Sequence, residues 1–144
     1  MKRRAKLVGF FILSMWAGIT FAVEGEVESA KVSKVLTQLF DRPNSRLTVD
    51  AVAVASDHSL ASWSQAGRGG RALLKRVSGK WQIVLCGGKE LMHVDALKKA
   101  GVPAADARTI GQHLTSLELK LPAAKRLAFD SFVMEQGKSH ASEH

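Results

Sequence analysis

Cysteine is nearly absent from this chain: of its 144 residues only Cys86 is one. No internal disulfide can form, so the fold must rest on an apolar core. Cys86 is then a buried inert thiol, a partner in an intermolecular disulfide, or a metal ligand. Long apolar runs are also missing. The most apolar stretch, Leu7 to Thr20, has fourteen residues and is interrupted by Gly9, Ser14 and Gly18, whereas a bilayer span takes ~20. There is no internal repeat and no low-complexity run. No paired-carboxylate pattern and no nucleophile elbow stands out, which argues against an enzyme.

What the N-terminus does contain is an export signal. Met1-Lys2-Arg3-Arg4-Ala5-Lys6 is a short positive region, the apolar stretch follows, and Thr20-Phe21-Ala22 puts small residues at −3 and −1 of a signal peptidase site. Residues 1–22 are therefore expected to be a cleavable secretory signal, and the product a periplasmic protein that meets the membrane only during export. Cleavage removes four of the 21 basic residues and none of the 13 acidic ones, leaving 122 residues with a net charge of +4. That length suits one domain, expected over residues 23–135, followed by a mobile His-containing tail at 136–144. The remaining basic residues are spread along the chain rather than clustered, which favours a solvated surface over a nucleic-acid site.

The apolar spacing predicts an α+β fold. Val27, Ala30, Val35 and Leu39, with Val32 and Leu36, read as an amphipathic helix over about 26–40. Alternation then marks strands at Leu47–Ala55, Leu60–Gln65, Arg71–Val77 and Lys80–Cys86. In the last of these Trp81, Ile83 and Leu85 share one face, and Val84 shares the other with Cys86. Short turns between the strands require an antiparallel meander, because parallel strands need long crossovers. The helical period returns at Leu91, Val94 and Leu97, which stop at Gly101-Val102-Pro103. It continues at Ala104, Ala107, Ile110, Leu114 and Leu117, then after Pro122 at Ala124, Leu127, Ala128 and Phe132. The expected architecture is an N-terminal helix, a four-stranded antiparallel meander and three C-terminal helices on one sheet face.

Several segments invite chemistry. Gly67-Arg68-Gly69-Gly70 lacks the lysine and following Ser or Thr of a phosphate loop and reads as a hairpin turn. Asp57 and His58 form half of an acid–base pair with no identifiable third member, and Asp and His in a turn are commonplace. His140 and His144 stand four apart, after Met134, a spacing that on a helix points two imidazoles the same way. Met92, His93 and Cys86 add further donors. Thioether, thiolate and imidazole together suit copper, above all cuprous copper. Against this, Met92 and Cys86 also read as core residues, and two tail histidines need no ligand to explain them.

Three segments carry a family resemblance: Asp57-His58-Ser59-Leu60-Ala61-Ser62-Trp63-Ser64-Gln65, Gly69-Gly70-Arg71-Ala72-Leu73-Leu74-Lys75-Arg76, and Trp81-Gln82-Ile83-Val84-Leu85-Cys86-Gly87-Gly88. With Ala100-Gly101-Val102-Pro103-Ala104-Ala105-Asp106 and the His-bearing tail, the chain resembles the copper uptake system-associated proteins from about Leu36 to its C-terminus. These are small exported bacterial proteins encoded beside copper import and chaperone genes. The resemblance implies an accessory role in copper uptake or homeostasis, with weak copper binding or delivery to a copper transport or chaperone partner, and no defined reaction. The expected donors are His140, His144, Met134 and Cys86. The rival reading is a metal-free periplasmic adaptor or inhibitor that binds a protein through its sheet.

The signal makes one expectation directly measurable. N-terminal sequencing of exported material should begin at Val23; a mature protein retaining Met1 contradicts both cleavage and periplasmic release.

Overall fold

The computed structural model describes residues 20–133. In chain order it contains α1 (Thr20–Phe40), β1 (Leu47–Ala55), β2 (His58–Gln65), β3 (Arg68–Val77), β4 (Lys80–Gly87), a 3₁₀ turn (Lys89–Met92), α2 (Val94–Lys99), α3 (Ala104–Glu118) and α4 (Ala123–Asp130). The four strands form one antiparallel sheet in the order β1-β2-β3-β4. The α+β meander with three later helices on the sheet is thus present. The expected signal lies largely outside the described residues, and no described helix is long and apolar enough to cross a membrane.

The turns explain the order. Ala66-Gly67 and Ser78-Gly79 each place two successive residues at positive φ (50° and 75°; 49° and 76°), as two-residue hairpins require. The glycine-rich stretch is therefore a turn only at Ala66-Gly67, and Arg68, Gly69 and Gly70 already belong to β3. His58 and Ser59, expected in a turn, open β2 and are buried.

Both sheet faces are covered. One carries Ala51, Ala53, Leu60 and Leu73 against Leu97, Ala107, Ile110 and Leu114 of α2 and α3. The other carries Ala61, Ala72, Leu74 and Trp81 against Val32 and Leu36 of α1. Burial on both sides accounts for the near-continuous burial of β2 and β3.

In four elements the facing of residues departs from simple periodicity. Register shifts between Val49 and Ala51 and between Leu73 and Leu74 mark bulges at Asp50 and Val84, and each extra residue reverses the alternation beyond it. Leu47 and Val49 therefore join Val52 and Val54 on the α1 side, away from Ala51 and Ala53. Likewise Leu85 leaves Trp81 and Ile83 for the α3 side, and Cys86 packs with Trp81's cluster. In α1 the buried pair is Val32 and Leu36, while Val27 and Leu39 are exposed; in α4 it is Phe129 that is buried, and Leu127 is exposed.

Trp81 anchors the α1 side. It is 5% exposed, its Nε1–H donates to Glu28 Oε2 at 2.8 Å, and the Arg76 guanidinium lies 5.4 Å from its ring. Glu28 also accepts from Arg76 and Lys31, so one α1 carboxylate ties the helix to β3 and β4. Trp81→Ala should cost about 3–5 kcal/mol and lower the melting temperature by more than about 10 °C. A circular-dichroism melt unchanged by that substitution would show that Trp81 is not a core anchor.

Candidate functional site

The donors expected from sequence divide in two. Met134, His140 and His144 lie outside the described residues, whereas Cys86 is placed at the end of β4. It is half-buried, opposite Ala72. Burial pushes the Cys86 thiol above the ordinary thiol range, so the neutral form is favoured and the thiolate needed for ligation is disfavoured. Met92, which the sequence offered as a companion donor, packs with the α3-side cluster, across the sheet from Cys86. Among the described residues no group of three His, Cys, Asp or Glu side chains is positioned to hold a metal ion.

What surrounds Cys86 is the corner where the described chain ends. Beyond α4 the backbone passes the end of β4: a Cβ on Gly88 would lie 2.6 Å from the Phe132 carbonyl oxygen. A Cβ on Gly70 would lie 2.8 Å from the Trp63 ring and 2.9 Å from the Phe132 ring. Glycine at both positions is therefore a condition of the close approach. Trp63 and Phe132 meet edge to face at 5.4 Å, the offset arrangement that aromatic quadrupoles favour. They line an open cavity of about 590 Å³ together with Arg68 and Val133. Gly70 lies two residues from Ala72 on the same strand face. Cys86 and the exit toward Met134 thus share one corner of the sheet.

The Asp57–His58 pair is not assembled for acid–base work. Asp57 accepts from Arg76 Nε at 3.0 Å. The nearby hydroxyls have other partners: Ser59 Oγ donates to the Ala53 carbonyl at 2.9 Å, and Ser56 Oγ to Asp106 at 3.1 Å. His58 itself is 7% exposed, and its Nδ1 has no hydrogen-bond partner among the described residues.

Sequence reasoning missed a polar cluster on the α3 side. Arg71, 2% exposed, donates from Nε and Nη2 to the two oxygens of Glu118 at 2.8 and 2.7 Å. Its Nη1 donates to Asp130 at 2.8 Å and to the Gly88 carbonyl at 3.0 Å. Ser62 Oγ also donates to Glu118. Separations of 47 and 59 residues leave no local signal; only an arginine inside an apolar strand hinted that it needed a partner.

Comparison with protein-family models, with curated proteins and with solved structures yields no match to any of them.

His58 generates a pH prediction. Burial, then Lys75, lowers its pKa below 6.5, only partly offset by Asp106 and Asp57. Below pH 6.5 the unfolded chain takes up the proton first, so the contribution of neutral His58 is intact above pH 6.5 and is lost as pH falls from there toward the folded value. Melting temperature should drop more between pH 7.5 and pH 5.5 in wild type than in His58→Gln. Equal drops would show that the ring titrates as it does in the unfolded chain.

Proposed function

We propose that this chain is an exported accessory protein of copper handling, which binds the ion weakly as cargo and passes it to a copper transport or chaperone partner. The observation that carries this reading is the shared corner: Cys86, half-buried on β4, lies beside the point where the chain leaves Val133 toward Met134, His140 and His144. Sulfur and imidazole are the donor types that suit cuprous copper. The resemblance from Leu36 onward supports the same assignment. With its thiol pKa raised by burial, Cys86 is the weaker donor of the set. The histidines carry the affinity.

A second reading has its own observation. Of the sheet face and the sheet edge through which an adaptor could bind, the face is covered by α1, but β1 pairs with β2 alone and leaves its outer edge unpaired among the described residues. An unpaired edge is a template for another chain. A metal-free adaptor would bind its partner there.

Copper titration of the exported chain separates the two. Replacing His140 and His144 together by Ala should lower copper affinity by at least the roughly 10–100-fold that loss of a supporting group costs, with the melting temperature unchanged. Affinity of the wild type should also fall as pH drops below about 6.5, because protonated imidazole cannot ligate. Cys86→Ser should disturb stability more than binding. If the double-histidine variant binds like wild type while Cys86→Ser abolishes binding, the site belongs to the sheet corner alone. Absence of any copper binding leaves the adaptor reading.

A further inference from the structure

We infer that residues 51–55 of β1 receive an extended segment of a partner protein as a fifth strand, seated in the groove between α1 and α3. This rests on the adaptor reading and names its surface and the form of its partner.

The edges of the sheet are not treated alike. A bulge and an inward-turned charge are two devices that blunt an edge, and the first half of β1 has both. Asp50 sits in the bulge with its side chain 3% exposed, held by Lys125 of α4 and by Ser64 Oγ at 2.7 Å. The opposite edge, β4, is interrupted by the bulge at Val84 and begins with Lys80. Residues 51–55 read Ala-Val-Ala-Val-Ala, with no charge, no proline and an unbroken register against β2. Alternate backbone N–H and C=O groups along this stretch have no partner strand among the described residues, and an extended backbone is what satisfies such a row.

The flanking helices set what fits. Val52 and Val54 form the floor of a groove of about 570 Å³, with Gly25 and Ser29 of α1 on one wall and His113 and Leu117 of α3 on the other. It continues into a second groove past Val54 that is lined by Val23 and Val27. Because both helices reach the edge, a second copy cannot bring up its own β1 without driving its helices into these. A single strand avoids that collision. Glu26, on the α1 wall, is exposed and has no salt bridge or side-chain hydrogen bond among the described residues. The complementary segment is therefore extended, alternates small or β-branched residues, and carries a Lys or Arg beside Glu26.

The probe is a heptapeptide library displayed on phage and selected against the exported chain, residues 23–144. Selected peptides should show the alternation and the basic residue. A synthesised binder should slow amide exchange within residues 51–55. Gly25→Trp is the decisive variant. A Cβ at Gly25 meets nothing within 4 Å in the fold and the substitution replaces a helical glycine, so the side chain can extend into the groove with folding unimpaired. Binding should weaken more than tenfold with no fall in melting temperature. Binders that leave exchange at 51–55 unchanged, or that tolerate Gly25→Trp, overturn the edge site while the adaptor reading stands. Selection of no peptide above empty phage overturns both. A dimer of the wild type that Gly25→Trp dissociates shows a second copy in the groove and overturns the partner assignment.

Discussion

One buried arginine holds the layers in register. Arg71 lies in β3, an interior strand, yet its guanidinium reaches Glu118 at the end of α3, Asp130 at the end of α4 and the Gly88 carbonyl beyond β4. A fork of fixed geometry binding one carboxylate through both oxygens leaves little freedom in how α3 crosses the sheet. The Phe129 ring, 5.8 Å from the guanidinium, closes the other side. Desolvating these charges consumes most of what their attraction returns, so the cluster adds little net stability. Removing one partner is a different matter, since about 3–5 kcal/mol is lost when a buried charge is left uncompensated. The cluster therefore selects an arrangement more than it strengthens one. Through Asp130 it also fixes where α4 ends and where Phe132 passes the end of β4.

The α1 side is held by a lighter version of the same device. Glu28 accepts from Trp81, Arg76 and Lys31, and the first two of these are on β4 and β3. Its neighbours are more exposed than those of Arg71, so most of the adhesion there comes from Val32, Leu36 and Trp81 rather than from charge. Once α1 lies across the sheet, that face is covered, and what remains open is the outer edge of β1 among the described residues.

Element order and type were legible in the sequence because each depends on local information: period two against period 3.6, glycine at the hairpins, proline before α3 and α4. The facing of individual residues was less so. A bulge adds one residue without altering composition, so alternation read through Asp50 or Val84 assigns Val49 and Leu85 to the wrong sides. In α4 the competition between Leu127 and Phe129 was decided by tertiary context: Phe129 lies under the Arg71 guanidinium, and a leucine in its place offers no ring to it. Cys86 and Met92 looked like companions six positions apart in the chain, but a sheet separates them. The Arg71–Glu118 pair was invisible for the opposite reason, being close in space and remote in sequence. The candidate donors Met134, His140 and His144 were legible as chemistry, and only their attachment point is described.

The corner and the edge occupy opposite sides of the sheet, bounded by β4 and β1. Cys86 pairs with Ala72 near the Gly70 and Gly87 ends of β3 and β4, on the side of the sheet bounded by β4. Residues 51–55 begin in the same cross-strand row, since Ala72 pairs with Ala61 and Ala61 with Val52, and run from there to Ala55 on the side bounded by β1. The two sites are thus separated by the width of the sheet, with β2 and β3 between them. A partner strand on β1 would leave the Cys86 corner open, and an ion held at that corner would leave the β1 groove untouched.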